Sequence, residues 1–316
     1  MTRVFISRPL PDSVLAAAHD LFDVTVRPET SPLTADEMRT ALRDYDGVLP
    51  TLGDMFSADI LGGASWRCKI LANFGVGYNH IDVTAAQAAG MTVTNTPGAV
   101  TDATADTAMT LMLMSARRAG EGERLVRAGT WEGWHPTQLL GMHLGGKTVG
   151  IVGMGRIGQA IARRCHFGFG MQVAYHSRSP KVLDFPAIQK ASLLDLAGAC
   201  DVLVIAVPGG NDTHHLINAD VLAAMPTHAH LVNIARGNVV EEAALIHALK
   251  TGQIGGAGLD VYEFEPAVPD ALRALENVVL LPHIGTAALE VREEMGLMSV
   301  RNLQAFFAGD TPPNLV

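Results

Sequence analysis

The stretch TVGIVGMGRIGQAIARR, residues 148–164, limits what this 316-residue chain can fold into more than any other segment. Thr148–Val152 reads as a buried β-strand. It runs directly into Gly153, Gly155 and Gly158, and the helix that follows keeps Ile157 and Ile161 on one face. A plain strand–helix turn needs one glycine. Three glycines in this register serve three needs: a tight turn, close approach of backbone to a phosphate, and close packing of helix on strand. A helix opening at that point also presents unpaired N–H groups and a positive dipole end to an anion. The segment therefore predicts a parallel α/β sheet that holds a dinucleotide by its pyrophosphate, with Arg156 and Ile157 in the first helical turn beside it.

The same alternation of short apolar strands and helical patterns runs from end to end, as parallel sheets require. In the first third the expected strands are Val4–Ser7, Val24–Val26, Gly47–Leu49, Ile70–Ala72 and Met91–Val93, and a helix opens at Thr34 with Glu37 as its capping-box partner. A long helix over about 102–117 leads to a second series: Thr148–Val152, Gln172–Tyr175, Val202–Ala206, His230–Asn233, Ala257–Leu259 and Val278–Leu280. A closing helix over roughly 287–307 packs most simply back on the first domain. The length exceeds one ordinary core and suits two domains. The expected fold is thus α/β, with two Rossmann-like or flavodoxin-like parallel-sheet domains and an active-site cleft between them. Residues 1–98 plus 287–316 form a discontinuous substrate-binding domain, and residues 99–286 a dinucleotide-binding domain.

Several function classes are disfavoured. A net charge of −9 gives no general attraction for nucleic acid or an anionic membrane. No apolar run approaches the length of a membrane span, and the N-terminal MTRVFISRPLPDS lacks the apolar core of a signal peptide. Cys68, Cys165 and Cys200 show neither disulfide nor metal spacing, which points to buried thiols and a cytoplasmic location. No metal is expected. His214–His215 and the His228/His230 pair have no cysteine or acid at ligand spacing near them.

Chemistry-bearing residues follow three of the expected strands. Arg236 comes just after His230–Asn233, Asp260 and Glu265 after the strand ending at Leu259, and His283 in LLPHIG. Ligands bind at the carboxyl ends of strands in open parallel sheets. A guanidinium, a carboxylate and an imidazole are what reduction of a 2-keto acid needs. Arg236 can grip the substrate carboxylate with a planar fork. His283, protonated, can give a proton to the carbonyl oxygen as hydride reaches carbon. Glu265 beside it would favour the imidazolium and orient the ring.

With these segments in view, the chain resembles the D-isomer-specific 2-hydroxyacid dehydrogenases over essentially its whole length. The resemblance rests on NFGVGYNHID, TNTPGAVTDATAD, the glycine turn, LVNIARG, GLDVYEFEP and LPHIGT, in the family's order. It implies that Arg236, Glu265 and His283 are the catalytic set and that Asp260 holds the nicotinamide carboxamide. It also implies that Thr104 and Pro208 contact cofactor and that the backbone N–H groups of Val76 and Gly77 bind the substrate carboxylate. A dimerising arm over about 118–147 implies a homodimer. Within the family the chain is most similar to the glyoxylate/hydroxypyruvate reductases. The segment PTLGD, where relatives touch substrate, has no Arg or Lys and no aromatic, which suits a small polar keto acid. VPGGNDTHH departs from the commoner version of its loop, on the adenine side.

The fingerprint has one departure of its own. Nineteen positions beyond Gly158, where an acid usually holds the adenosine ribose of NAD, VAYHSRS offers Ser177, Arg178 and Ser179. Replacing the acid removes a charge that would repel a 2′-phosphate, and Arg178 can pair with one. The reading is NADPH-dependent reduction of glyoxylate or hydroxypyruvate to glycolate or D-glycerate, with NADH also possible. The alternatives are an NADH-linked dehydrogenase of another small 2-keto acid and a dinucleotide-sensing, corepressor-like binding protein.

Overall fold

The computed structural model describes residues 1–63 and 65–316. The chain forms two compact units, Met1–Val100 with Thr286–Val316, and Thr101–Gly285. The first unit contains β1 (Arg3–Ile6), β2 (Asp23–Val26), β3 (Gly47–Leu49), β4 (Ile70–Ala72) and β5 (Thr92–Thr94). They form one parallel sheet in the order β2-β1-β3-β4-β5, the flavodoxin-like arrangement. Thr34 and Glu37 close the expected capping box: the Glu37 N–H donates to Thr34 Oγ1 at 3.3 Å, and Glu37 Oε2 accepts from the Thr34 N–H at 2.8 Å. One face of the sheet buries Val48, Leu71 and Val93 with Met38, Leu42, Phe56 and Trp66. The closing helix, Leu289–Ala308, packs against this unit. Gly296 allows its close approach, because a Cβ there would stand 2.6 Å from Val14.

The second unit contains β6 (Thr148–Val152), β7 (Gln172–His176), β8 (Ile188–Gln189), β9 (Val202–Ile205), β10 (His230–Asn233), β11 (Gly256–Leu259) and β12 (Val278–Leu280). The order β12-β11-β10-β9-β6-β7-β8 is parallel throughout, a Rossmann arrangement with a seventh strand added beyond β11. Successive strand residues point to opposite faces and enter separate cores. Val149, Ile151, Val202 and Val204 pack with the helix Thr101–Ala116. Val152, Leu203, Ile205, Leu231 and Leu259 pack on the other side. β8 is the one strand the sequence reading lacks. It is two residues long, exposed and at the sheet edge, so it carries no apolar pattern to read.

Cys68, Cys165 and Cys200 are free and buried, and burial pushes each thiol up to about 12. Among the described residues no helix is long and apolar enough to cross a membrane. At the start of β10, buried His230 shares a 2.7 Å hydrogen bond with Ser115 Oγ. Burial, aided by the charge of His228, pulls its pKa from 6.5 down to about 4. The unfolded chain therefore takes up a proton across that window that the folded chain refuses. Stability is highest above pH 6.5 and falls on acidification towards pH 4, by on the order of 3 kcal/mol from this residue alone. Urea midpoints measured across this range should flatten in His230→Asn; an unchanged slope would remove the assignment.

Candidate active site

The carboxyl ends of β10, β11 and β12 lie side by side in the second unit, and each carries one of the expected groups. His283 follows β12 in the left-handed region, at φ 54°, which costs a non-glycine residue about 1–3 kcal/mol unless its surroundings fix it. Asp260, buried at the end of β11, does the fixing. Its Oδ1 accepts from the Ile284 N–H at 2.7 Å and its Oδ2 from the Gly285 N–H at 2.8 Å. Burial holds the Asp260 carboxyl above its ordinary value, with these two N–H groups and the charge of His283 opposing. Both oxygens of Asp260 therefore already support the histidine loop. Thr104 is buried beside it: a Cβ on Gly285 would come within 3.7 Å of Thr104 Oγ1.

Glu265 joins the same loop. Its Oε2 lies 2.8 Å from His283 Nδ1 and its Oε1 accepts from the Tyr262 N–H at 2.9 Å. Burial acts to raise this carboxyl. The hydrogen bond and charge of His283, the Tyr262 N–H and the charge of Arg236 together outweigh it and hold Glu265 below its ordinary value. An ionised Glu265 accepts from Nδ1–H, which leaves Nε2 as the ring nitrogen that can exchange a proton with a ligand. Arg236 stands three residues beyond β10. Its Nη1 donates to Ala235 O at 2.7 Å, and its own carbonyl is held by Asn233 Nδ2 at 2.9 Å. Burial lowers its pKa and the charge of Glu265 opposes the shift. It makes no ion pair among the described residues, so a desolvated guanidinium keeps donors for an anion. Gly237 makes this arrangement possible, because a Cβ there would meet the Tyr262 carbonyl at 1.8 Å.

The glycine turn lies where the strand order reverses, with β6 between β7 and β9. Gly153 has φ 94°, and a Cβ on it would stand 2.8 Å from Ala206 O. A Cβ on Gly158 would fall 2.1 Å from Gly153 O. Gly155 is different. Its φ of −81° suits any residue, and a Cβ there would meet nothing within 4 Å. The protein's own packing does not require glycine at that position, and the open space suits close approach of a pyrophosphate. Gly155 caps the helix Arg156–Arg163 without a side-chain bond, so the first-turn N–H groups of Arg156, Ile157 and Gly158 face the same space. These features fit a dinucleotide. Pro208 lies on the loop after β9, where its carbonyl accepts from Thr213 Oγ1 at 2.8 Å.

The loop after β7 carries Ser177, Arg178 and Ser179. Ser177 Oγ donates to Ser179 O at 2.7 Å, and Arg178 is exposed with no acid paired to it among the described residues. The sequence reading missed Lys181, whose Nζ donates to Ser179 Oγ at 3.0 Å. The readable signal was a second cation three positions beyond Arg178. His176 is turned away from this group, with Nδ1 3.1 Å from Lys190 O.

In the first unit, Asn73 organises the turn containing Val76 and Gly77. Asn73 Nδ2 donates to Gly75 O at 2.9 Å and to Gly77 O at 3.1 Å, Asn95 Nδ2 donates to Val76 O at 2.9 Å, and Gly75 has φ 155°. With the carbonyls held inward, the N–H groups of Val76 and Gly77 donate to no protein acceptor among the described residues. His80 Nε2 lies 2.9 Å from Asn73 Oδ1 and so supports the turn. The segment PTLGD does have a cation, Arg8, from the end of β1. Its guanidinium donates to Leu52 O at 2.6 Å and to Thr51 Oγ1, and pairs with fully buried Asp54 at 3.2 Å. Asp54 neutralises that charge, so the segment stays without a free cation. The sequence could not show Arg8 here, 43 residues before Thr51.

A family model for the D-isomer specific 2-hydroxyacid dehydrogenase NAD binding domain matches residues 109–285. The glyoxylate reductase of Thermococcus kodakarensis is 45% identical, over 99% of this chain and 96% of its own. The chain belongs to the D-isomer-specific 2-hydroxyacid dehydrogenase family. It is an oxidoreductase that uses a nicotinamide dinucleotide on a small keto or hydroxy acid. The glyoxylate reductase of Pyrococcus furiosus is 43% identical over 99% of this chain and 95% of its own. Among solved structures, an NADPH-dependent glyoxylate/hydroxypyruvate reductase from Sinorhizobium meliloti, in complex with NADP and malonate, superposes with a TM-score of 0.87. It is 38% identical and covers 100% of this chain and 96% of that one.

Proposed function

We infer that this dehydrogenase reduces glyoxylate and hydroxypyruvate to glycolate and D-glycerate, and that it prefers NADPH. The observation that carries the chemistry is the His283–Glu265 pair at 2.8 Å beside the unpaired, desolvated guanidinium of Arg236. Arg236 grips the substrate carboxylate and carbonyl oxygen. The Val76 and Gly77 N–H groups bind the carboxylate. A nicotinamide dinucleotide held at the glycine turn and beside Asp260 would supply hydride for the carbonyl carbon. His283 gives its Nε2 proton to the carbonyl oxygen and is left neutral, with Glu265 fixing the tautomer. Asp260 keeps the histidine loop in place, with an oxygen lone pair left on each side for the carboxamide.

Cofactor preference rests on the loop after β7. Ser177, Arg178 and Ser179, with Lys181 added, offer two cations and two hydroxyls where a carboxylate would repel a 2′-phosphate. Each charge-assisted bond is worth roughly 1.5–3 kcal/mol, or about tenfold to a hundredfold in affinity. Replacing Ser177 with Asp and Arg178 with Ala should therefore lower kcat/KM with NADPH by about a hundredfold and spare NADH. Equal loss with both dinucleotides would remove the assignment. Val126, Trp131, Trp134 and Leu140 are exposed on residues 118–147. We assign this arm to a homodimer interface, and the enzyme to the cytoplasm, where its buried thiols stay reduced.

A further inference from the structure

We propose that His214, His215 and Glu263 form a binding site for a borderline divalent transition-metal ion, with Zn²⁺ as the representative case. In sequence the acid nearest the two histidines is Asp212, but the fold brings Glu263 to them from 48 residues away. His215 Nε2 lies 2.6 Å from Glu263 Oε1. The two imidazoles stack with centroids 3.9 Å apart, and one ligand atom from each of the three residues lies within 4.8 Å of the others. Two imidazoles and a carboxylate are the protein ligands of a three-ligand zinc site with water in the fourth position. The donor set is too soft for Mg²⁺ or Ca²⁺ and lacks the thiolates that select Cu(I).

Two of the ligands are already anchored. The His215 N–H donates to Asn238 O at 2.8 Å, holding the residue at φ 50°. Glu263 Oε2 accepts from the Glu242 N–H at 3.2 Å, the kind of outer support that orients a ligating carboxylate. His214 is exposed, its ring stacked on that of His215. Ligand atoms around tetrahedral zinc stand roughly 3.4 Å apart, so the His214 ring turns inward and the 2.6 Å His215–Glu263 pair opens to admit the ion. The ion replaces the proton that His215 shares with Glu263, that proton passes to solvent, and nothing is oxidised or reduced. Binding would fasten the loop after β9 to the turn between Tyr262 and Glu265.

The test is a titration of chelator-stripped protein with Zn²⁺ in competition with a chromophoric chelator. Wild type should bind Zn²⁺ stoichiometrically, and H214Q at least about tenfold more weakly. H283Q should keep the wild-type affinity, which separates this site from the His283–Glu265 pair. The Tm of wild type should rise with Zn²⁺ and that of H214Q should not, while the two agree in the absence of metal. Undiminished affinity in H214Q, loss in H283Q instead, or no stoichiometric binding by wild type would each overturn the assignment. The readout is metal binding, so it stands apart from the identity of the keto acid.

Discussion

Replacing His283 with Asn lowers kcat for keto-acid reduction by roughly 10²–10⁴-fold and leaves dinucleotide affinity close to wild type. Asn is the informative choice because it tolerates the left-handed backbone at φ 54°. The loop that Asp260 holds through the Ile284 and Gly285 N–H groups then keeps its shape. What disappears is the proton and the ring that Glu265 orients. Reduction takes a proton from this ring, and oxidation of the hydroxy acid returns one to it, so both directions should fall together in the variant. A variant within about threefold of wild type would show that the proton comes from elsewhere.

Arg236→Lys carries the second large effect, on substrate rather than cofactor. The guanidinium has spent one donor on Ala235 O, which leaves a planar fork for the carboxylate and carbonyl oxygens. An ammonium cannot reproduce that geometry, and the loss corresponds to about tenfold to a hundredfold in kcat/KM. Burial adds a second penalty. It already lowers the pKa of Arg236 against the charge of Glu265. Arginine stays charged regardless, whereas a lysine at this site would lose its proton much sooner. The deficit should therefore widen as pH rises, mostly as an increase in KM. Unchanged KM and kcat across pH would remove Arg236 from the site.

The clustering of the candidate groups was legible in sequence because parallel sheets impose it. Each of Arg236, Asp260 and His283 follows an apolar strand, and adjacent parallel strands bring their carboxyl ends together whatever the intervening helices do. The three glycines at 153, 155 and 158 were legible for the same local reason. Contacts that join distant segments through side chains were not. Nothing in RPLPDS announces that Arg8 will neutralise Asp54, and nothing near His214–His215 announces Glu263. Strand β8 was hidden because an exposed edge pair needs no apolar residues. Lys181 lay in plain view, but its relevance depends on the turn that brings its ammonium to Ser179.

The most direct measurement is kcat/KM for glyoxylate and hydroxypyruvate with NADPH and with NADH, followed at the nicotinamide absorbance band in one set of assays. Turnover of both acids is expected, with NADPH favoured by about tenfold to a hundredfold. Equal use of NADH would refute the role given to Ser177, Arg178 and Lys181. Tight dinucleotide binding with no consumption on any small 2-keto acid would contradict the enzyme itself and leave a dinucleotide-sensing binding protein.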